Sequence, residues 1–368
     1  MASKPHHTAA GAAAAAALAF LIAVVPPEAV GCDLIPAKKA QVESWFTANV
    51  GHWSGRRGTL DPALVAAESA RARVIRVGKS GEFRKIADAI RSVPPGNKRR
   101  VIIRVGGGTY PEKVRIGPDK PFVTLLGQAG STPVLVAGNT AAHGGTIESA
   151  TLTVESDYFM MVNMIVKNAA PKPTGKRGEQ AVAMRLWGSR AAIYGCGFYG
   201  FQDTVCDDRG VHFYKDNHIQ GTVDFIFGNA KSLFLSNEIV VVESGGSAFI
   251  AAQGRTAGED TGFAFVHCTV GGGVTGAMLG RAWAPRSRVV YARTRMSGAV
   301  SPRGWSNNFR PDRDGTVFFG EYKNTGPGAD RTKRVNFSKL LNDEQAKSFL
   351  SLTFIDGAKW LLPPPPSI

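Results

Sequence analysis

Short apolar runs separated by glycine-containing breaks fill most of the chain from residues 73–77 (RVIRV) onward. Runs of this length, broken by frequent glycine, are typical of β-strands joined by turns. The clearest helical spacing lies in residues 83–94 (FRKIADAIRSVP), where the apolar side chains share one face and a proline ends the run. The pattern therefore predicts an all-β body with a short helix near its start.

A weak internal repeat relates six of the predicted strands. Each strand-like segment has a small or polar residue at its fifth position, and these positions follow one another at intervals of 20 to 33 residues: Asn163, Cys196, Asn217, Asn237, Cys268 and Thr294. A repeat of this length with variable insertions fits a solenoid of parallel strands, in which each repeat forms one coil. The repeated residues would stack as an internal ladder. Chance similarity among apolar segments is the alternative.

Two acidic residues interrupt sequence that otherwise resembles strand. Asp203 follows Gln202, and Asp224 precedes the apolar triplet Phe225–Phe227. Gln180 lies 22 residues before Gln202, and Asp203 lies 21 residues before Asp224, which is about one coil in each case. Because equivalent positions on neighbouring coils stack about 4.8 Å apart, we expect these four polar side chains to converge on one patch.

The predicted patch favours the hydrolysis of an ester. Two neighbouring carboxylates repel each other, so one tends to keep its proton while the other ionises. Such a pair supplies a nucleophile and a proton donor, as it also does in a retaining glycosidase. Two glutamine amides suit the oxyanion that forms in acyl transfer, which a glycosidase does not need. The alternative role for the glutamines is to satisfy backbone groups.

Charge adds information about the partner. The chain has 44 Lys and Arg residues against 29 Asp and Glu residues, a net charge of +15 that no single segment carries. Such dispersed charge indicates an anionic partner, which could be a nucleic acid, an anionic membrane or an acidic polysaccharide; a merely basic surface is the alternative. Four cysteines in 368 residues form neither a disulfide framework nor a metal-ligand spacing.

The N-terminal residues predict export. A basic start precedes an apolar run at residues 9–25, and Ala29 and Gly31 are suitably small for cleavage before Cys32, as in a secretory signal peptide. An uncleaved anchor and a lipoprotein-type site are the alternatives. We divide the chain into a signal peptide, a lead-in segment, a catalytic β-helix and a proline-rich tail: residues 1–31, 32–71, 72–362 and 363–368. Asn336, in the triplet Asn-Phe-Ser, is a predicted glycosylation site.

Six segments resemble, in order, the motifs of the pectinesterases (pectin methylesterases), most closely those of plants. They are GTYPEKV (108–114), QAVAMRL (180–186), GFQDTV (200–205), GTVDFIFGNA (221–230), LGRAW (279–283) and GEYKNTGPGA (320–329). The resemblance covers roughly residues 73–362. It implies a right-handed, single-stranded parallel β-helix and the hydrolysis of methyl esters in homogalacturonan to pectate and methanol. It also implies a secreted, cell-wall protein of the short form, without an inhibitor-like pro-domain.

The resemblance also implies residue roles. Asp224 aligns with the nucleophile, Asp203 with the general acid and base, and Arg281 with the arginine that holds the nucleophile. Gln180 and Gln202 align with the amides that stabilise the oxyanion. The sugar-binding cleft would include four aromatic residues: Trp283, Trp305, Phe225 and Phe227. Neither a metal ion nor an organic cofactor is expected.

Three positions depart from the family pattern. Ala282 replaces a usual proline, Cys206 a frequent tyrosine, and Asn217 a common cysteine. None of these changes removes a predicted catalytic residue, so we expect an active enzyme.

The expected partner is methyl-esterified homogalacturonan, with proteinaceous pectinesterase inhibitors as further partners, and the expected state is a monomer. A β-helical pectin-binding protein or lyase is a second hypothesis. A lyase would need a calcium-binding carboxylate cluster, for which Asp207 and Asp208 are a poor candidate. A nucleic-acid binder would need interleaved basic and aromatic residues along a groove, and the predicted export argues against it.

Overall fold

The computed structural model describes residues 1–2, 34–242 and 248–366. Within these residues the strands form three parallel sheets, which we call sheets I, II and III. Sheet I has eleven strands, which in spatial order are β1 (Arg73–Val77), β2 (Val101–Val105), β5 (Val123–Gly127), β8 (Met160–Val162), β11 (Ala191–Tyr194), β14 (Val211–Lys215), β17 (Lys231–Leu235), β20 (Gly262–Val266), β23 (Arg288–Ala292), β26 (Phe318–Tyr322) and β27 (Ser338–Leu340).

Sheets II and III have eight strands each. Sheet II contains β3 (Thr109–Pro111), β6 (Val134–Ala137), β9 (Ile165–Asn168), β12 (Gly197–Tyr199), β15 (His218–Gly221), β18 (Glu238–Val241), β21 (Thr269–Gly272) and β24 (Arg295–Met296). Sheet III contains β4 (Val114–Ile116), β7 (Leu152–Val154), β10 (Met184–Leu186), β13 (Val205–Asp207), β16 (Val223–Gly228), β19 (Phe249–Gln253), β22 (Met278–Ala282) and β25 (Trp305–Ser306). Eight successive coils, from β2–β4 to β23–β25, thus add one strand to each sheet in turn, and β1, β26 and β27 extend sheet I alone. This arrangement makes the body a parallel β-helix.

The internal repeat is confirmed for five of its six segments. Ala192, Phe213, Leu233, Ala264 and Val290 begin these segments and lie in register across five neighbouring strands of sheet I. The first segment was placed one residue out of register. Met160 pairs with Ala192, so Met164 rather than Asn163 takes the repeated position. The sequence pattern found the coils because each coil repeats the same inward-facing positions.

The predicted ladder follows the corner between sheets I and II. The side-chain oxygen of Asn217 accepts a hydrogen bond from the backbone N–H of Cys196 (2.8 Å). The side-chain oxygen of Asn237 in turn accepts from both the backbone and the side-chain N–H of Asn217 (2.9 Å each). Both asparagines are buried. They therefore satisfy backbone groups that the turn leaves unpaired, which an apolar residue of similar size could not do.

A left-handed residue precedes each ladder position. Its φ angle lies between 47° and 59° at Asn163, Gly195, Asp216, Ser236, His267, Arg293 and Lys323. This region disfavours most L-residues but not glycine, so the corner carries a small strain at every one of these positions except Gly195. Beside Asp216 and Ser236 the hydrogen bonds of Asn217 and Asn237 offset it.

Two hydrophobic layers stabilise the solenoid. Inside it, aromatic rings from successive coils stack, with 4.5 Å between the ring centroids of Tyr214 and Phe234 and of Phe234 and Phe265. The outer face of sheet I is covered by residues from the two ends of the described chain, including α1 (Val42–Asn49), α2 (Pro62–Ser69) and the segment from α4 (Asp343–Lys347) onward.

Helix α3 (Ile86–Arg91) lies within the predicted helix at residues 83–94, and its buried residues join the interior cluster at the start of the solenoid. Arg56 ties the two terminal segments together, because its guanidinium donates to the carbonyls of Leu361 (2.5 Å) and Ala358 (2.9 Å). In the described part of the chain, no helix has the length and hydropathy to cross a bilayer. The predicted signal peptide, apart from residues 1–2, lies outside the described residues, as does Cys32.

Replacing Asn217 with Ala should lower the free energy of unfolding by about 1–3 kcal/mol, because the buried Cys196 N–H loses its acceptor. Chemical denaturation would measure this loss. The matched control is Asn139→Ala at an exposed asparagine, which should change the stability by less than about 0.5 kcal/mol. Equal stabilities of the two variants would contradict the role of the ladder.

Candidate active site

The segments that carry the two aspartates and two glutamines lie side by side at sheet III. Asp203 precedes β13, and Asp224 lies in the neighbouring strand β16. The backbone N–H of Asp203 donates to the carbonyl of Val223 (3.0 Å), and that of Ala181 donates to the carbonyl of Gln202 (3.2 Å). Three successive coils therefore present Gln180, Gln202 with Asp203, and Asp224 at one place, as the spacing predicted.

Both aspartates have left-handed backbone conformations. The φ angle is 66° at Asp203 and 50° at Asp224. At Asp224 the pairing of β16 with β19 is irregular, because its register shifts between Val223 and Ile226. Such a bulge redirects a side chain relative to the regular alternation of a strand. Here it places the Asp224 carboxylate toward Arg281 while the next residue, Phe225, packs in the interior.

Arg281 on β22 binds the Asp224 carboxylate through two hydrogen bonds. Its Nε donates to Oδ1 of Asp224 (2.7 Å), and its Nη2 donates to Oδ2. The guanidinium carbon also lies 4.8 Å from the ring centroid of Phe249 and 5.3 Å from that of Trp283. The remaining Nη1 donates to the side-chain oxygen of Asn308 (3.2 Å). These contacts fix the position and the orientation of the guanidinium.

The surroundings of the two aspartates affect their pKa values differently. Burial raises the pKa of Asp203 well above its usual range, and the negative charge of Asp224 raises it further, against a smaller opposing effect of Arg281. Burial also raises the pKa of Asp224, but the hydrogen bonds and charge of Arg281 oppose that rise. Among the described residues, Asp203 has no side-chain hydrogen-bond partner. Asp203 is therefore suited to hold a proton, and Asp224 to ionise.

Gln180 and Gln202 are partly exposed beside the aspartates. Their backbone carbonyls accept hydrogen bonds from the N–H groups of Ala141 (2.8 Å) and Ala181 (3.2 Å). Their side-chain amides make no hydrogen bond to any residue that the structure describes. Both amides can therefore donate to a bound molecule, and the alternative in which they satisfy backbone groups finds no support in these contacts.

Comparison with known proteins identifies the family. The family model described as Pectinesterase matches residues 72–358. "Pectinesterase 2" of Olea europaea is 50% identical over 335 residues, which cover 90% of this chain and 91% of that protein. "Putative pectinesterase 63" of Arabidopsis thaliana is 48% identical over 348 residues, covering 94% and 96%. The chain belongs to the pectinesterase family.

A solved structure of a family member supports the same conclusion about the fold. The "Pectin methylesterase from Carrot" superimposes with a TM-score of 0.74 at 29% identity, over 80% of this chain and 96% of that one. The β-helix of this pectinesterase is therefore the right-handed parallel β-helix that the sequence predicted.

The four predicted aromatic residues of the cleft separate into two groups. Trp283 is 57% exposed beside Arg281, and Phe227 is half-buried on the outer face of sheet III. Trp305 and Phe225 are 0% exposed and belong to the interior cluster. The indole N–H of Trp305 donates to Glu321 (3.1 Å), inside the solenoid. The prediction that Trp305 and Phe225 contact the substrate is therefore wrong, because both side chains face the interior of the solenoid.

Phe309 is a candidate that the sequence analysis missed. Its side chain is 88% exposed, and both Asn308 and Phe309 have left-handed φ angles, 61° and 59°. A bulky residue rarely adopts this conformation. Asn308 binds Arg281, and Arg313 donates to the carbonyl of Trp283 (3.1 Å), so this loop is fastened to the site from both sides. No motif in the sequence marks Phe309 for this position.

Cys206, an unexplained departure from the family pattern, is a buried thiol. It is 1% exposed and packs with Val182, Ala150 and the partly buried Phe227. Burial raises the pKa of the thiol well above its usual range. Cys206 therefore fills space in this small cluster and is not a reactive nucleophile.

Asp207 and Asp208, considered for a calcium site in a lyase, have other partners. The Asp207 carboxylate is buried and accepts from Tyr214 (2.7 Å) and Ser232 (2.5 Å), with His212 Nδ1 at 2.6 Å. Asp208 pairs with Arg185 (2.7 Å). Across residues 34–242 and 248–366, no group of three or more His, Cys, Asp and Glu side chains is placed to hold a metal ion.

Replacing Asp203 with Asn should stabilise the folded protein at neutral pH. Folding raises the pKa of Asp203. In the unfolded chain this carboxyl ionises at a pKa of about 3.9, whereas in the folded protein it stays protonated to a higher pH. The folded state therefore loses stability relative to the unfolded state as the pH rises above about 3.9. The variant should therefore melt higher than the parent near pH 7, and the difference should vanish near pH 3.5.

Thermal unfolding at both pH values measures this difference. The exposed Asp119→Asn is the matched control and should melt like the parent at each pH. A variant Asp203→Asn that melts like the parent near pH 7 would contradict the raised pKa.

Proposed function

We propose that this pectinesterase removes methyl esters from homogalacturonan, giving pectate and methanol, with Asp224 as nucleophile and Asp203 as general acid and base. The observation that carries the proposal is the pairing of Asp224 with Arg281 beside a buried Asp203 that lacks such a partner. One carboxylate is held ionised and oriented, and the other retains a proton. Membership of the pectinesterase family supports the same reaction.

In the first half of the reaction, the ionised Asp224 attacks the carbonyl carbon of a galacturonate methyl ester. The tetrahedral oxyanion accepts hydrogen bonds from the amides of Gln180 and Gln202, which make none within the described structure. When the intermediate collapses, the C–O bond to the methoxy group breaks, and Asp203 gives its proton to the departing oxygen as methanol forms. The product is an acid anhydride between Asp224 and the galacturonate.

In the second half, Asp203 is a carboxylate and can accept a proton. It takes this proton from a water molecule, whose oxygen attacks the anhydride, so that the galacturonate leaves as a free acid and Asp224 is restored. Arg281 stabilises the Asp224 carboxylate as it leaves and returns it to its original position. The cycle returns Asp203 to its protonated form.

The proposed substrate surface uses the exposed aromatic residues. Both Trp283 and Phe309 lie near the Arg281 guanidinium. The guanidinium contacts the Trp283 ring and donates a hydrogen bond to Asn308, the residue before Phe309. Aromatic faces pack well against the C–H groups of sugar rings, and Phe227 offers a further half-buried ring. These three side chains replace the four-residue set proposed from the sequence.

Export to the cell wall, a monomeric state, glycosylation at Asn336 and binding of proteinaceous inhibitors also belong to the proposal. Asn336 is exposed in the stretch between β26 and β27. The net charge of +15 would hold the enzyme on a polyanionic product, with an attraction that salt weakens. A cofactor-free reaction likewise stays a prediction.

Replacing Asp224 with Asn should reduce methanol release from methyl-esterified pectin at least about a thousandfold, since the nucleophile is lost. The matched control is Asp260→Asn, which also removes a carboxylate paired with a lysine and an arginine but lies outside the site. The control should retain nearly full activity. Methanol release by a folded Asp224→Asn at the control's rate would refute the assigned nucleophile.

Replacing Phe309 with Ala should raise KM for polymeric pectin by about three- to tenfold while changing kcat by less than about twofold, because a stacking contact is lost. Steady-state methanol release measures both constants. Phe309→Tyr should restore the parent KM, and Leu340→Ala, at another exposed apolar residue, should leave it unchanged. A parent-like KM for Phe309→Ala would exclude Phe309 from the substrate surface.

A further inference from the structure

An open cavity of about 540 Å³ lies at the C-terminal ends of β1, β2 and β5, the first three strands of sheet I. Its walls are residues 76–81, 104–107 and 126–129. The candidate active site lies on sheet III, about three coils further along the solenoid, which is roughly 15 Å along the axis. The cavity therefore shares no residue with the proposed catalytic machinery.

Two arginines stand next to each other in this cavity. Arg76 and Arg104 are partners in the pairing of β1 with β2, and both side chains point away from the interior. Neither guanidinium forms an ion pair with any described residue. Glu82 accepts a hydrogen bond from the backbone N–H of Arg76 (3.2 Å). Lys79 is a third cation, and no Asp or Glu is among the lining residues. The wall is therefore positively charged, with the Glu82 carboxylate at the Arg76 backbone as a partial counter-charge.

Hydrogen-bond donors in the cavity also lack acceptors. The Nε of Arg104 is buried and has no hydrogen-bond partner within the described structure. Gln128 is exposed: its side-chain oxygen accepts from the backbone N–H of Gly107 (3.0 Å), and its amide N–H groups bond to no described residue and are free to donate to a bound molecule. A buried donor without an acceptor destabilises the folded state. An anion with several oxygen atoms would balance the charge of the wall and accept hydrogen bonds from the exposed Arg76 guanidinium and Gln128 amide, although the buried Nε of Arg104 lies out of its reach.

We propose that this cavity binds carboxylates of de-esterified galacturonan, in a second polysaccharide site separate from the catalytic cleft. The inference rests on the proposed function, because this polymer is the product of that reaction. A carboxylate can accept paired hydrogen bonds from a guanidinium, which a methyl ester accepts far less strongly because it carries no charge.

The shape of the cavity fits a sugar chain better than a single ion. Its volume exceeds that of one carboxylate many times over, and the cavity is open to solvent. A chain held here by its free carboxylates would keep the enzyme on pectin that it has already demethylated.

The site is tested by measuring the affinity for unesterified homogalacturonan oligomers by titration calorimetry at low salt. The parent should show binding at the cavity in addition to any binding at the cleft. The double variant Arg76→Gln/Arg104→Gln should lose about tenfold or more in affinity at the cavity. Lys98→Gln/Arg99→Gln is the matched control, since it removes two exposed charges outside the cavity and should bind like the parent. Fully methyl-esterified oligomers should show no binding that depends on Arg76 and Arg104.

The outcomes separate this inference from the proposed function. Methanol release from short methyl-esterified oligomers should have the parent kcat and KM in both double variants. If the folded Arg76→Gln/Arg104→Gln binds unesterified oligomers as the parent does, or if the control weakens binding equally, the cavity is not a specific site. A parent that binds the oligomers through the cavity but releases no methanol would overturn the proposed function and leave the binding site standing.

Discussion

Backbone hydrogen bonds between successive coils are the constraint on which the rest of the molecule depends. Parallel strands stack about 4.8 Å apart, so residues one coil apart in sequence become neighbours in space. This spacing brings Asp203 beside the segment of Asp224, although 21 residues separate them. It also stacks Asn217 on Asn237 at the corner and the aromatic rings in the interior. One repeated pairing therefore sets the core, the ladder and the site.

The candidate catalytic patch is assembled against local preference. Asp203 and Asp224 both have positive φ angles, both are buried, and burial raises the pKa of each. Arg281 compensates directly for the charge of only one of them. This arrangement destabilises the folded state. Packing in the surrounding solenoid and on the covered face of sheet I must offset that loss. The same asymmetry gives the two carboxylates different roles in the proposed mechanism.

The direction of each side chain decides which aromatic residues can meet a substrate. Sheet strands alternate between interior and surface, and a bulge changes that alternation by one residue. Phe225 and Trp305 fall on the inner side, whereas Trp283 lies outside. Phe309 reaches the surface through a loop that Asn308 and Arg313 fasten to β22 and the residue after it. Its exposure depends on contacts between residues that lie about thirty positions apart in the sequence.

The amino-acid sequence by itself determined the repeat, the fold class and the convergence of Gln180, Gln202, Asp203 and Asp224, because a solenoid converts sequence interval directly into spatial neighbourhood. Its net charge of +15 also predicts an anionic partner. Only the tertiary structure decided which aromatic residues are buried, where the register of the first repeat lies, and that Arg76 and Arg104 stand unpaired in one cavity. These features depend on bulges, turns and contacts between distant strands. A one-residue shift in the register of a strand moves its side chains to the opposite face of the sheet.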